Sequence, residues 1–199
     1  VAVSKFRSLT ELEALYQTGQ RIFGENRVQE LLQKQSELPT DILWHLIGHL
    51  QTNKVKSVIG KVDLIHSVDS VKLLKEIQKQ SKKQNLITRV LLQIRVADEE
   101  SKFGFKPDEL IDFVKSGNLA AFDQIAFCGI MSMATLTSNS QKIEEEFDKT
   151  VETFKLLKPL VPNSEVFKEV SMGMSGDYQI AKKMGATMVR IGSKIFADG

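Results

Sequence analysis

The chain has one cysteine in 199 residues, Cys128, so it forms no internal disulfide and must be held together by its core. That cysteine lies in the apolar run Phe127-Cys128-Gly129-Ile130-Met131, which marks it as a buried, reduced core residue and points to the cytoplasm. No apolar run is long enough to span a bilayer, which argues against a membrane protein. Charge of one sign is also lacking, with 27 Lys and Arg against 25 Asp and Glu. The lysines are dispersed among acids, so the footprint of a nucleic-acid binder is absent. Lys72, Lys75, Lys79, Lys82 and Lys83 recur at helical spacing opposite Val71, Leu74 and Ile77, the pattern of a solvated helix face. Prolines number four, and each falls between elements or at a helix start. No linker or low-complexity segment divides the chain, so residues 1–199 form a single domain. The sequence opens at Val1 already inside an apolar strand, from which we expect the natural N-terminus to lie upstream.

What is present is one βα word repeated. Strands are expected at Val1 to Lys5, Arg21 to Phe23, Leu43 to Ile47, Leu64 to Ser67, Arg89 to Val96, Ile125 to Ser132, Val166 to Met172 and Met188 to Ile191. Helices are expected at Leu9 to Gln17, Val28 to Lys34, Asn53 to Ile59, from Ser70 to near Gln84, from Pro107, over Ser140 to Leu157, and after Asp177. Eight strands alternating with helices predict an α/β fold, a closed (β/α)₈ TIM-type barrel. A flavodoxin-like sandwich is disfavoured, because eight parallel strands is high for such a sheet and no residues mark an antiparallel edge.

In a barrel the site gathers at the strands' C-terminal ends. Those positions are Lys5, Asn26, His49, Ser67, the Ser101-Lys102 loop, Met131, Met133, Ser175, Arg190, Gly192 and Ser193. The stretch from Ser171 to Phe196 holds two Gly/Ser turns, Met174-Ser175-Gly176 before a helix capped by Asp177, and Gly192-Ser193. Backbone N–H groups and serine hydroxyls converging there suit a phosphate, although such glycines can also merely turn corners. Arg190 shares its strand face with Met188 and Gly192 and needs a partner, either a ligand or a neighbouring strand's carboxylate. Lys5 follows Val1 and Val3 on one face, at the lip of an apolar column. Desolvation and the proximity of Arg190 would favour its neutral amine, a nucleophile toward an aldehyde; the alternative is a surface lysine beside a frayed terminus. An amine, a phosphate cradle and a pocket of methionines together describe a site for pyridoxal phosphate.

The segments Val1-Ala2-Val3-Ser4-Lys5, Phe23 to Glu30, Trp44 to Lys54, Gly129-Ile130-Met131 and Ser171 to Phe196 span nearly the whole chain. In them the sequence closely resembles the YggS/PROSC family of pyridoxal phosphate homeostasis proteins, whose barrel is shared with the N-terminal domain of alanine racemase. The resemblance implies that Lys5 carries the cofactor as an internal aldimine, that Asn26 lies in the pocket, that Arg190 faces the pyridine nitrogen, and that Ser175, Gly192 and Ser193 hold the phosphate. Met131, Met133, Met172 and Met174 fill a core by default, but their place at the ends of strands six and seven makes at least one, with Met133 the site residue, an expected wall for a planar ring. The chain departs from the family at Phe6-Arg7-Ser8-Leu9, where many members carry a small polar residue and then a proline, so the first βα loop should differ in shape. At position 193 serine replaces a common threonine and keeps the hydroxyl.

Two functions are weighed. One is a monomeric cytoplasmic protein that buffers or hands on pyridoxal phosphate, possessing no catalytic residues of its own and meeting amino acids only as passing ligands. The other is a pyridoxal phosphate-dependent amino-acid racemase. The resembling racemases use a tyrosine from a second domain of the partner chain, whereas the tyrosines here are Tyr16, mid-helix, and Tyr178, after the seventh strand. An arginine at the pyridine nitrogen also keeps that nitrogen unprotonated and weakens the ring as an electron sink. His45 and His49 straddle a strand end and do not share a helix face as a zinc pair would, so no metal site is expected. Glu144, Glu145 and Glu146 read as an exposed helix face.

Overall fold

The computed structural model describes residues 1–97 and 103–196. Among these residues seven parallel strands follow in chain order around one sheet: β1 (Ala2–Val3), β2 (Ile22–Glu25), β3 (Leu43–Leu46), β4 (Leu64–Val68), β5 (Thr88–Gln93), β6 (Ile125–Met131) and β7 (Glu169–Ser171). Segment 188–191 supplies the eighth position. On one side Val3 donates to the Ile191 carbonyl at 2.7 Å and Ile191 to the Val1 carbonyl at 3.0 Å; on the other, Met172 donates to the Met188 carbonyl at 3.1 Å. The (β/α)₈ barrel therefore closes. Its last strand is reduced to isolated bridges, because the Arg190 N–H leaves the ladder for the Gly173 carbonyl at 2.9 Å.

Among the described residues seven α-helices intervene: α1 (Leu9–Gln17), α2 (Val28–Glu37), α3 (Val55–Val58), α4 (Val71–Gln84), α5 (Pro107–Lys115), α6 (Ser140–Leu157) and α7 (Tyr178–Lys183). Local chemistry sets their ends. Ser8 and Glu11 form a reciprocal capping box on α1, Ser70 caps α4, and Asn85 in the left-handed region closes it. The α4 lysines are exposed while Leu73, Leu74 and Ile77 are buried, as the periodicity requires. Outward-facing strand residues such as Phe23, Trp44, Ile65 and Phe127 bury against the helices in one large cluster, each contributing about 1.5–3 kcal/mol. The barrel interior holds a smaller apolar cluster of Leu64, Leu91, Cys128 and Met131, with Cys128 buried and free.

Several boundaries differ from expectation, four of them as follows. The first strand stops at Val3, because Ser4 turns inward and accepts the Arg7 N–H at 3.0 Å. Strand seven begins at Glu169, not Val166, since the chain turns after Asn163, whose φ is 56°. The helix expected at Asn53 to Ile59 is a 3₁₀ turn, Thr52–Lys54, followed by the four residues of α3. Strand five ends at Gln93, where Phe105 returns to donate to the Gln93 carbonyl at 2.9 Å. Gly129 has no substitute: its φ is 151°, and a Cβ there would lie 1.8 Å from the Glu169 carbonyl oxygen.

Candidate functional site

One cavity of about 540 Å³ opens at the C-terminal ends of the strands. Lys5, Asn26 and Met133 line it from β1, β2 and β6; Ser175, Arg190, Gly192 and Ser193 line it from β7 and the closing segment. His49 lines it as well. Two other strand-end positions do not: Ser67 is buried and donates to the Gly48 carbonyl at 2.5 Å, and Met131 belongs to the interior cluster. Ser101 and Lys102 lie outside the described residues.

Lys5 occupies the turn after β1 and is exposed, so protein packing does not supply the desolvation expected for its amine. The reason is that β1 ends two residues earlier. Its Nζ lies 4.8 Å from the centre of the Phe6 ring, and Phe6 itself has a φ of 63° and is 73% exposed. Behind this exposed turn stands a buried ion cluster. Lys34 pairs with Glu25 and donates to the Ser4 carbonyl at 2.7 Å; Glu25 also accepts from the Ser4 hydroxyl and from the Asn26 N–H, each at 3.0 Å. Glu25 therefore fixes the backbone beside Lys5 and that of Asn26 together. Gly48 permits the close passage of β3 past this loop, since a Cβ there would come 2.4 Å from the Asn26 carbonyl oxygen.

Arg190 is only 4% exposed, and neutral oxygens hold it, not a carboxylate. It donates to the Ser171 hydroxyl at 2.6 Å and to the Ser132 carbonyl at 2.8 Å. Burial lowers its pKa to about 10, with the Asp177 carboxylate opposing the shift. With that pKa the group keeps its charge at neutral pH, and Ser171 and Ser132 take two of its five N–H donors at the cavity it lines.

The two Gly/Ser turns meet. The Gly192 N–H donates to the Ser175 hydroxyl at 3.3 Å, and Ile195 and Phe196 fold back onto the Gly192 carbonyl. Among the described residues, no acceptor engages the N–H groups of Ser175, Gly176, Ser193 or Lys194. Asp177 does not cap α7 with its side chain; it turns back and accepts the Met174 N–H at 2.6 Å, which shapes the first turn around the cavity instead. The clustered donors and the neighbouring buried cation suit an anion with several oxygens.

The mouth was less legible in the sequence. Glu146, read as part of an exposed helix face, is buried and accepts both the N–H and the hydroxyl of Thr135 at 2.6 and 2.7 Å. It thereby pins the loop that carries Met133 and the 95% exposed Leu136. His49 is oriented by Asp69 at 3.0 Å and stacks on Phe103 at 3.9 Å. Inside the barrel, His66 and Ser171 form a polar interior that sequence reasoning passed over; the available signal was polar residues at inward strand positions.

A profile of the alanine racemase N-terminal domain matches residues 6–198. The pyridoxal phosphate homeostasis protein of Haemophilus influenzae is 36% identical over 199 residues, covering 98% of this chain and 83% of that protein. The structure of PipY from Synechococcus elongatus, solved with pyridoxal phosphate bound, superposes with a TM-score of 0.89 at 33% identity, covering 99% of this chain and 91% of PipY. Alanine racemase from Bartonella henselae shares the fold with a TM-score of 0.73 at 21% identity, covering 99% of this chain but 53% of the racemase. The chain belongs to the pyridoxal phosphate homeostasis protein family, built on the barrel of the alanine racemase N-terminal domain.

Proposed function

We propose that this protein binds pyridoxal 5'-phosphate through Lys5 and, as a cytoplasmic monomer, buffers and hands on the cofactor in pyridoxal phosphate homeostasis. The observation that carries this is the convergence, in one cavity of about 540 Å³, of a primary amine, a buried guanidinium with fixed donors, and two turns with open N–H groups. A phosphorylated aromatic aldehyde fits that set. The cofactor supplies an aldehyde for an amine, a ring able to accept electrons, and a phosphate dianion.

Each end of the cavity has its own task. Lys5 offers its amine from an exposed turn where an aldehyde can reach it, and Glu25 steadies the backbone on either side. Ser175 and Ser193 give hydroxyls to the phosphate, and Gly192 lets it approach the backbone. Asn26 and Met133 bound the ring. Arg190 donates to the ring nitrogen, which must then act as an acceptor and stay unprotonated. With that nitrogen unprotonated, the protein would hold the cofactor without activating a bound amino acid. Among the described residues no helix is long and apolar enough to cross a membrane.

A racemase is the competing function, and the tyrosines weigh against it. Tyr16 donates to Asp41 at 2.8 Å, Tyr178 lies under Lys194, and neither lines the cavity. The racemase from Bartonella henselae also has nearly half its length beyond the matched barrel. The test is proton NMR of alanine in D₂O with cofactor-loaded protein. The α-hydrogen signal should persist with wild type and decay faster with an Arg190→Glu variant that still binds cofactor. Rapid decay with wild type would restore the racemase.

A further inference from the structure

A line of hydrogen-bonding side chains crosses the barrel interior and ends on Arg190. At the far end Asp63, just before β4, stands 3.5 Å from His45 Nε2 and pairs with Arg89 at 2.8 Å. His45 Nδ1 is 2.9 Å from His66 Nε2, and His66 Nδ1 is 3.0 Å from the Ser171 hydroxyl, which accepts from Arg190 at 2.6 Å. His45, His66, Ser171 and Arg190 are all buried, and His66 is wholly so. Strands β4 and β7 are not neighbours, so the link from His66 to Ser171 spans the interior of the barrel.

With both imidazoles neutral, the two ends dictate every proton between them. Arginine can only donate and a carboxylate can only accept. His45 therefore places a proton on Nε2 toward Asp63 and turns the Nδ1 lone pair to His66. His66 then holds its proton on Nε2 and accepts at Nδ1 from the Ser171 hydroxyl, whose lone pairs are left facing Arg190. The reverse arrangement would set a bare His45 nitrogen against the carboxylate. Burial, the largest cause, holds His66 well below its ordinary pKa and so keeps it neutral, as this pattern requires.

We infer that His66 is a positioning residue for Arg190: fixed in one tautomer by His45 and Asp63, it orients the Ser171 hydroxyl so that the guanidinium is held in a single rotation with its free donors toward the cavity. This rests on the proposed cofactor role, in which those donors meet the ring nitrogen. The Ser132 carbonyl supplies the second anchor, and with two donors fixed the guanidinium plane cannot turn.

Long-range ¹H–¹⁵N correlation on the ligand-free chain reads the tautomers directly. His66 should carry its proton on Nε2; a proton on Nδ1 overturns the inference. Titration with pyridoxal phosphate is the second arm. His66→Phe should weaken binding about tenfold and shift the absorption maximum of the bound cofactor, and His66→Gln, with an acceptor and a donor, should restore most of both. Unphosphorylated pyridoxal should lose as much, because the defect lies at the ring end. Binding and spectrum unchanged in His66→Phe would overturn the inference. Should that variant fail to fold, Ser171→Ala must give the same loss and shift, and wild-type behaviour there counts equally against it. Wild type that binds no cofactor defeats the proposed function instead, and the imidazole spectrum of the ligand-free chain alone then decides the alignment of His66.

Discussion

Lys5 and Arg190 face the same cavity from opposite physical settings. Lys5 sits in an exposed turn beside the ring of the exposed Phe6, whereas Arg190 lies in the barrel wall with two donors committed to Ser171 and Ser132. The difference follows from the tasks proposed for them. An amine that takes up and releases an aldehyde needs room to move. A cation that reads a ring nitrogen must be in place beforehand, because fixed donors cost nothing to reorganise when the ligand arrives. On the proposed reading, the site pairs an exposed attachment point with a cation fixed in the barrel wall.

Unfolding measurements can break this contrast. Arg190→Met leaves the Ser171 hydroxyl and the Ser132 carbonyl without their donor, and urea unfolding should show a loss of about 2–4 kcal/mol. A loss within experimental error would mean that the guanidinium is not built into the wall. Next in size is the phosphate end. Ser175→Ala and Ser193→Ala should each weaken retention of pyridoxal phosphate by roughly 1.5–3 kcal/mol, read by equilibrium dialysis, with little change for unphosphorylated pyridoxal. Equal losses for both ligands would remove the phosphate from those turns.

Acid dependence sharpens the buried side further. His66 has a folded pKa well below the ordinary 6.5, so the folded chain refuses a proton that the unfolded chain accepts. Its contribution is whole above that value and is lost as pH falls, at about 1.4 kcal/mol per pH unit. His66→Gln should flatten the decline in stability between about pH 7 and about pH 5 relative to wild type, as followed by urea midpoints. An unchanged slope would show that His66 takes up its proton while folded. The smallest expected effect is Lys5→Ala, which should alter stability by no more than about 0.5 kcal/mol, since the side chain is exposed.

The eight-strand order and the gathering of Lys5, Asn26, Met133, Ser175, Arg190, Gly192 and Ser193 at one rim were legible because strand alternation and Gly/Ser turns are local signals. What was not legible depends on contacts far apart in the chain. His66 and Ser171 are 105 residues apart, and nothing in the run Leu64-Ile65-His66-Ser67 announces a partner across the barrel. Glu146 looked solvated because its neighbours Glu144 and Glu145 are; only the return of the Thr135 loop buries it. The burial of Lys5 was overestimated for the same reason, since the early end of β1 depends on Ser4 turning toward Glu25.

The central claim is that the exposed lysine, and no other, makes the attachment. Protein loaded with pyridoxal phosphate, reduced with borohydride and digested, should yield a single modified peptide carrying the label on Lys5, and Lys5→Ala should yield none. A label on Lys54, Lys106 or Lys194, or undiminished labelling of Lys5→Ala, would contradict it.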